Sequence, residues 1–289
     1  MINRVARTLK RKLTLEDRAG DSQRPPADPG APCCEVCGHA RPEFDTFVRR
    51  NKPGLVREMA ACPNCGFLQI KPLPAEHYRN LTEMSQMSGG GTRIGTESQK
   101  GREYWMTRLG LEVLGRPRVD VLIYGVGRSQ DNLHVAKLPR VRHVAIGDIM
   151  RVREDAEFHD TNLPATRQFD LVIASEVVEH FRAPRQDFQR LFEFVDHNGL
   201  LICGTNIYNG KDVTRDPYPF YSDHTSYYTP RALALIAREN GYLLDFRVPE
   251  RAGGHGRKRY VLFTRSAEVR DKIALYFGVH NFAPSDPAS

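Results

Sequence analysis

"VDVLIYGVGRS", residues 119–129, is a short apolar run that breaks into Gly125-Val126-Gly127. A buried strand that ends in glycines can turn tightly under a nucleotide or phosphate-bearing ligand. A lone Gly-x-Gly is shared by unrelated turns, so the residues around it have to decide what it holds. About twenty residues on, "HVAIGDIM" places Asp148 at the end of a second strand, where a carboxylate can accept both hydroxyls of a ribose. "FDLVIASEVVEHF" (169–181) then runs a buried strand into Glu176, Glu179 and His180, and "GLLICGTN" (199–206) supplies the next strand.

From about residue 100 the hydrophobic pattern alternates in period. "EYWMTRLGLEVLG", "SQDNLHVAKL", "RQDFQRLFEFV" and "TPRALALIARENG" read as helices among these strands, and "LLDFRVP" and "KRYVLFTR" as two closing strands. Such alternation predicts an α/β fold with a mostly parallel sheet covered by helices on both faces. The last two strands lack a helix between them, as in an antiparallel hairpin.

The chain has 289 residues, 40% of them hydrophobic, enough for one α/β domain and a small appended module. The net charge of +7 suits an anionic partner, but it is concentrated near the N-terminus (Arg4, Arg7, Lys10, Arg11, Lys12) and in Arg257-Lys258-Arg259. Neither cluster sits in a nucleic-acid-binding motif, so no nucleic-acid partner is expected. With no run of roughly 18 apolar residues and no secretion signal, the sequence predicts a soluble cytoplasmic protein. Five units follow: a basic helix and linker over 1–32, a ribbon over 33–83, a flexible loop over 84–99, the α/β domain over 100–268, and a helix and tail over 269–289. Ile2, Val5, Leu9 and Leu13 would form the apolar face of the first helix, docked on a partner, a membrane surface or its own protein. An oligomer is compatible with all of this.

Five of six cysteines lie between residues 33 and 65. The pairs Cys34/Cys37 and Cys62/Cys65 are each followed by glycine, the pattern of two knuckles that bring four thiolates onto a structural Zn²⁺. Disulfides are the rival reading, disfavoured in a reducing compartment. Cys33 is a bystander unless the first knuckle shifts by one residue, and His39 and His77 read as surface histidines.

Taken together, the glycine turn, the acidic strand end at Asp148, "FD-apolar-SE-x-x-EH" and "G-L-L-apolar" resemble a class I S-adenosylmethionine-dependent methyltransferase across roughly residues 100–265. The N-terminal "CxxCG…CxxCGFxQxxPxP" is similar to the zinc-binding module joined to that domain in the deoxysugar C-methyltransferases. The resemblance implies a Rossmann-like, mostly parallel seven-stranded sheet with helices on both faces, plus a small zinc ribbon. It implies S-adenosylmethionine as cofactor, with Tyr124, Gly125 and Gly127 at its methionine and ribose end. Asp148 would bind the ribose hydroxyls, Ile149 and Met150 would pack on adenine, Asp160 would face the adenine amino group, and Glu176 would stand beside the methionine end. It further implies methyl transfer to a sugar, nucleotide-linked or within a glycan or natural-product pathway. Two departures stand out. Ile123 replaces the usual acidic residue before the turn and Ser129 replaces the third glycine, which leaves Asp131 and Glu176 as candidate acceptors for the cofactor's ammonium.

"PYPFYSDHTSYYTP" (217–230) follows the fifth strand, on the side where open α/β sheets bind ligands. His224 is a candidate base and Tyr221 a candidate polarising group. With His180 they resemble the acid/base set of the sugar C-methyltransferases, in which a proton beside a keto group is removed. The clustered tyrosines suit a sugar or planar ligand. Glu179 reads as a packing or capping residue. The residues also leave open a non-sugar acceptor and a non-catalytic ribbon/Rossmann-like binding protein. A dinucleotide oxidoreductase is disfavoured by the lack of G-x-G-x-x-G.

Overall fold

The structure, a computed structural model, describes residues 33–40, 45–52, 55–71, 73, 94–151, 153–210, 212–221, 223–248 and 258–278. The basic segment 1–13, the linker 17–32, His77, residues 84–93 of the loop, the glycine-rich turn 251–257 and the tail 279–289 lie outside them.

Seven strands form the main sheet: β4 (Val119–Tyr124), β5 (Val141–Asp148), β6 (Glu157–Asp160), β7 (Phe169–Ser175), β8 (Val195–Asn206), β10 (Leu243–Arg247) and β11 (Lys258–Thr264). Their order is β10-β11-β8-β7-β4-β5-β6. Only β11 runs antiparallel to its neighbours, so the final hairpin expected from the sequence closes an otherwise parallel sheet.

Alternation along β4 shows why its sequence is apolar throughout. Val121 and Ile123 pack on one face with α1 (Arg102–Leu114) and α5 (Ala267–Phe277). Leu122 and Tyr124 pack on the other with α3 (Pro184–Glu193) and α4 (Pro230–Glu239). Both faces are buried, as a central parallel strand requires. Thr229 caps α4, accepting from the Ala232 amide at 3.0 Å, with Pro230 in the first helical position where no amide donor is needed.

The chain leaves β4 for β5 and β6 on one side, then returns to pair β7 on the other. The crevice opened by this reversal lies between the ends of β4 and β7, so the glycine turn and Glu176 flank it.

A second sheet, β1 (Asp45–Lys52), β2 (Leu55–Ala61), β3 (Leu68–Lys71) and β9 (Ser226–Tyr227), is antiparallel. The first three strands are the ribbon, whereas β9 comes from the tyrosine-rich segment of the α/β domain: Leu68 pairs with Tyr227 and Gln69 with Ser226. Met59, Leu68 and Ile70 of the ribbon share a core with Val213, Tyr218, Phe220 and Tyr227. The ribbon is therefore built into the wall of the site.

Candidate active site

At the glycine turn the backbone is left-handed twice, at Gly125 (φ 67°) and Gly127 (φ 51°). A Cβ at Gly125 would stand 2.5 Å from a methyl of Val177, whereas one at Gly127 would meet nothing within 4 Å. The first glycine allows β4 and the segment after β7 to close together, and the second leaves open space at the crevice. Gly127 donates its amide to Asp148 Oδ2 at 2.8 Å, and the Ile149 amide donates to Oδ1 at 2.7 Å. Burial pushes the Asp148 carboxyl up, opposed by these amides. Asp160 ends β6 in register with Asp148, and Asn162 donates to both its carboxylate (2.9 Å) and the Ile149 carbonyl (2.8 Å). The Tyr124 ring turns into the core against Phe194, with centroids 5.8 Å apart. Glu176 holds a left-handed φ of 55° without being glycine and donates its amide to the Gly204 carbonyl. Such a conformation costs about 1–3 kcal/mol and is maintained by its surroundings. A sharp glycine turn open on one side, with a fixed carboxylate at the next strand end, fits the ribose and methionine portion of an adenosyl cofactor.

Asp131, one of the sequence candidates for the ammonium acceptor, is committed elsewhere. It is wholly buried, and its two oxygens accept from the Gly101 and Tyr104 amides at 2.7 and 3.0 Å, capping α1. Beside it lies a residue that the sequence did not single out: Glu103, 4% exposed, accepts from Ser129 Oγ at 2.9 Å.

The second cluster joins the segment after β7 to the tyrosine-rich segment. The rings of His180 and His224 are 5.0 Å apart, and Tyr221 lies 5.3 Å from His224. His180 Nδ1 pairs with the Asp223 carbonyl at 2.9 Å, so Nδ1 carries the proton. His224 is 6% exposed. It hydrogen-bonds the Tyr218 main chain, and its Nδ1 has no hydrogen-bond partner among the described residues. Burial, and then the neighbouring His180, bring His224 down to about 4, so the ring is neutral at ordinary pH. Tyr221 is half exposed.

Glu179 does more than the packing expected of it. Its carboxylate, 1% exposed, accepts a short hydrogen bond from the Tyr218 hydroxyl and another from Thr205 Oγ1 at 3.1 Å. The Thr225 amide donates to the Glu179 carbonyl at 2.9 Å, and the Thr225 and Ser226 hydroxyls both donate to the Phe181 carbonyl. These bonds tie the segment carrying His180 to the segment carrying His224.

A family profile described as a methyltransferase domain matches residues 101–245. This chain belongs to the S-adenosylmethionine-dependent methyltransferases. Among solved structures, the methyltransferase is similar to an O-methyltransferase family protein from Burkholderia thailandensis, at 20% identity over 56% of this chain and 55% of that one, TM-score 0.44. The match spans little more than half that protein's length. It is also similar to the 1,6-didemethyltoxoflavin-N1-methyltransferase of the same organism, solved with its acceptor and S-adenosylhomocysteine, at 17% identity over 75% and 97% of the two chains, TM-score 0.45. The N-methyltransferase NodS from Bradyrhizobium japonicum, solved with S-adenosylhomocysteine, matches at 14% over 56% and 84%, TM-score 0.39. No curated protein matches the chain. Among the methyltransferase's described residues no helix is long and apolar enough to cross a membrane.

The four cysteines of the knuckles lie together. Their Sγ atoms are all within 4.8 Å of one another, with Cys34–Cys65 at 3.7 Å and Cys37–Cys62 at 3.5 Å. The Gly38 and Gly66 amides donate to the Cys34 and Cys62 carbonyls, and the Val36 amide points at Cys34 Sγ from 3.4 Å. Four converging sulfurs fit a tetrahedral thiophilic ion such as Zn²⁺ and leave no position for a substrate.

Proposed function

We propose that this methyltransferase transfers the methyl group to a sugar, nucleotide-linked or within a glycan or natural-product pathway, with His224 as the base that removes the acceptor's proton. The observation that carries this reading is the Nδ1 of a buried, neutral imidazole, without a hydrogen-bond partner among the described residues, at the ligand-binding end of the sheet. An amine acceptor can attack unaided, whereas a hydroxyl or a carbon beside a carbonyl has to lose a proton, and a neutral histidine can take it. The bound cofactor supplies a methyl group already activated on a sulfonium. The protein's part is to orient the acceptor and hold the base. His180, fixed by the Asp223 carbonyl, and the half-exposed Tyr221 would bind the acceptor's oxygens, and the tyrosine faces suit a sugar ring.

Cys34, Cys37, Cys62 and Cys65 would hold one Zn²⁺, which would fix β3 as the strand on which β9 is built. Asp148, Asp160, Glu176, Ile149 and the Tyr124–Gly127 turn would surround the cofactor.

Release of S-adenosylhomocysteine, measured across nucleotide-linked keto and hydroxy sugars and across amines, tests the acceptor. Turnover is expected with a sugar, and His224→Asn should lower kcat by about 10²–10⁴-fold while leaving S-adenosylhomocysteine binding intact. Turnover confined to amines, or an unaffected variant, would overturn the reading.

A further inference from the structure

We propose that Glu103, in the first turn of α1, is the acceptor for the ammonium of the cofactor's methionine moiety, in place of the carboxylate missing at Ile123. This rests on S-adenosylmethionine being the cofactor and is independent of the acceptor and of His224. Ile123 is fully buried in the core beneath α1 and offers nothing to a cation. Of the carboxylates near the turn, Asp148 is held by the Gly127 and Ile149 amides, both oxygens of Asp131 cap α1, and Glu176, the other candidate, stands across the crevice after β7 with contacts of its own. Glu103 stands in the first turn of α1, and the hydroxyl that orients it belongs to Ser129, two residues past Gly127 of the turn. The two departures from the family pattern therefore form one arrangement: the hydroxyl at the third glycine position fixes a carboxylate delivered from the preceding helix.

An independent observation places a second polar group on that face. Ser175 Oγ, at the end of β7, is 6% exposed and has no hydrogen-bond partner among the described residues. It lies 3.6 Å from the point where a Cβ of Gly204 would stand, a point also 3.3 Å from Met106 of α1. Tyr260, paired in register with Gly204, is among the groups that sense the Glu103 charge.

The charged and titratable groups facing Glu103 are Asp131 of α2 (Asp131–Val135), Tyr260 of β11, and Arg102 on its own helix. Burial first, then the contact with Asp131, pushes the Glu103 carboxyl up to about 7. A carboxyl raised in this way keeps its proton near neutrality until a cation arrives. An ammonium at Glu103 would displace that proton.

Calorimetry with two probes tests this: S-adenosylhomocysteine, and 5′-methylthioadenosine, which keeps the nucleoside and thioether but lacks the amino-acid end. Glu103→Gln should weaken S-adenosylhomocysteine by about tenfold or more and leave methylthioadenosine nearly unchanged. Equal losses for both ligands, or no loss for either, would overturn the proposal. The wild-type protein gives a second reading that no folding defect can obscure. Near pH 7, in buffers of different ionisation heat, S-adenosylhomocysteine should release a fraction of a proton and methylthioadenosine none. Equal proton counts would also overturn it. Failure of the wild type to bind either nucleoside would instead remove the cofactor assignment, and this inference with it.

Discussion

Gly125 and His224 show how single residues set the limits of this site. Adding one methyl at Gly125 would drive it to 2.5 Å from Val177, whose branched side chain has little freedom to move, on a backbone that L-residues avoid. Gly125→Ala should lower stability by about 1–3 kcal/mol and abolish tight S-adenosylhomocysteine binding, seen as a reduced Tm and a lost calorimetric signal. Adding Val177→Ala should restore part of the stability but not all, because the backbone strain remains. His224 carries a pH signature. Its folded-state value of about 4 lies below the 6.5 of an exposed histidine, so the unfolded chain takes up a proton first as the pH falls. The stability owed to its neutral form is therefore whole above about pH 6.5 and is lost on the way down to about 4, by at most about 3 kcal/mol. Urea unfolding of wild type and His224→Asn across that window should show the shallower acid decline in the variant.

Elements in this chain are held as much by neighbours as by their own sequences. Thr229 caps α4 and donates to the Cys65 carbonyl at 2.6 Å, joining a helix of the α/β domain to the second cysteine knuckle. Thr229→Ala should cost about 1–2 kcal/mol by thermal or urea unfolding, more than Ser266→Ala, because Ser266 caps α5 without such a link. Period and capping made β4, β5, β7, α3 and α4 legible in the sequence, since each buries a regular stripe. Two elements were not, and a third was legible only in its apolar half. Strand β9 is two residues long and owes its extended state to the edge of β3. Strand β6 is four residues with little burial, and its sequence stood out only for Asp160. Strand β8 begins at Val195 and carries polar Asp196, His197 and Asn198 before the apolar run that marked it. The site follows the same rule. His180, Tyr221 and His224 stood out as candidates by residue type and position, and the structure brings their rings together. Glu103 and Glu179 could not, because the meaning of each carboxylate depends on a hydroxyl distant in sequence, Ser129 for one and Tyr218 for the other.

Across the whole molecule, the ribbon that carries the cysteine cluster and the tyrosine-rich segment share one sheet. Stripping the proposed zinc with a chelator should loosen β3 and, through it, the Ser226 and Tyr227 amides, while the β4 and β5 amides on the far side of the crevice stay protected. Hydrogen exchange followed residue by residue checks this; uniform loss of protection, or none at β9, would show that the ribbon does not support the segment. Cofactor affinity should fall less than turnover, because the glycine turn and Asp148, proposed to hold the cofactor, belong to the other sheet.

The two-residue pairing of β3 with β9 also bears on how the chain is made. Strand β3 leaves the ribosome about 150 residues before its partner. At bacterial or eukaryotic synthesis rates of about 5–20 residues per second, the nascent ribbon waits roughly 8–30 seconds with the backbone donors and acceptors of an apolar edge exposed. During that interval β3 is a template for any other extended peptide nearby. Nascent-chain chaperones should therefore engage this chain after the second knuckle is translated and let go once "HTSYY" has emerged. The yield of active protein would then depend on translation speed between those two points.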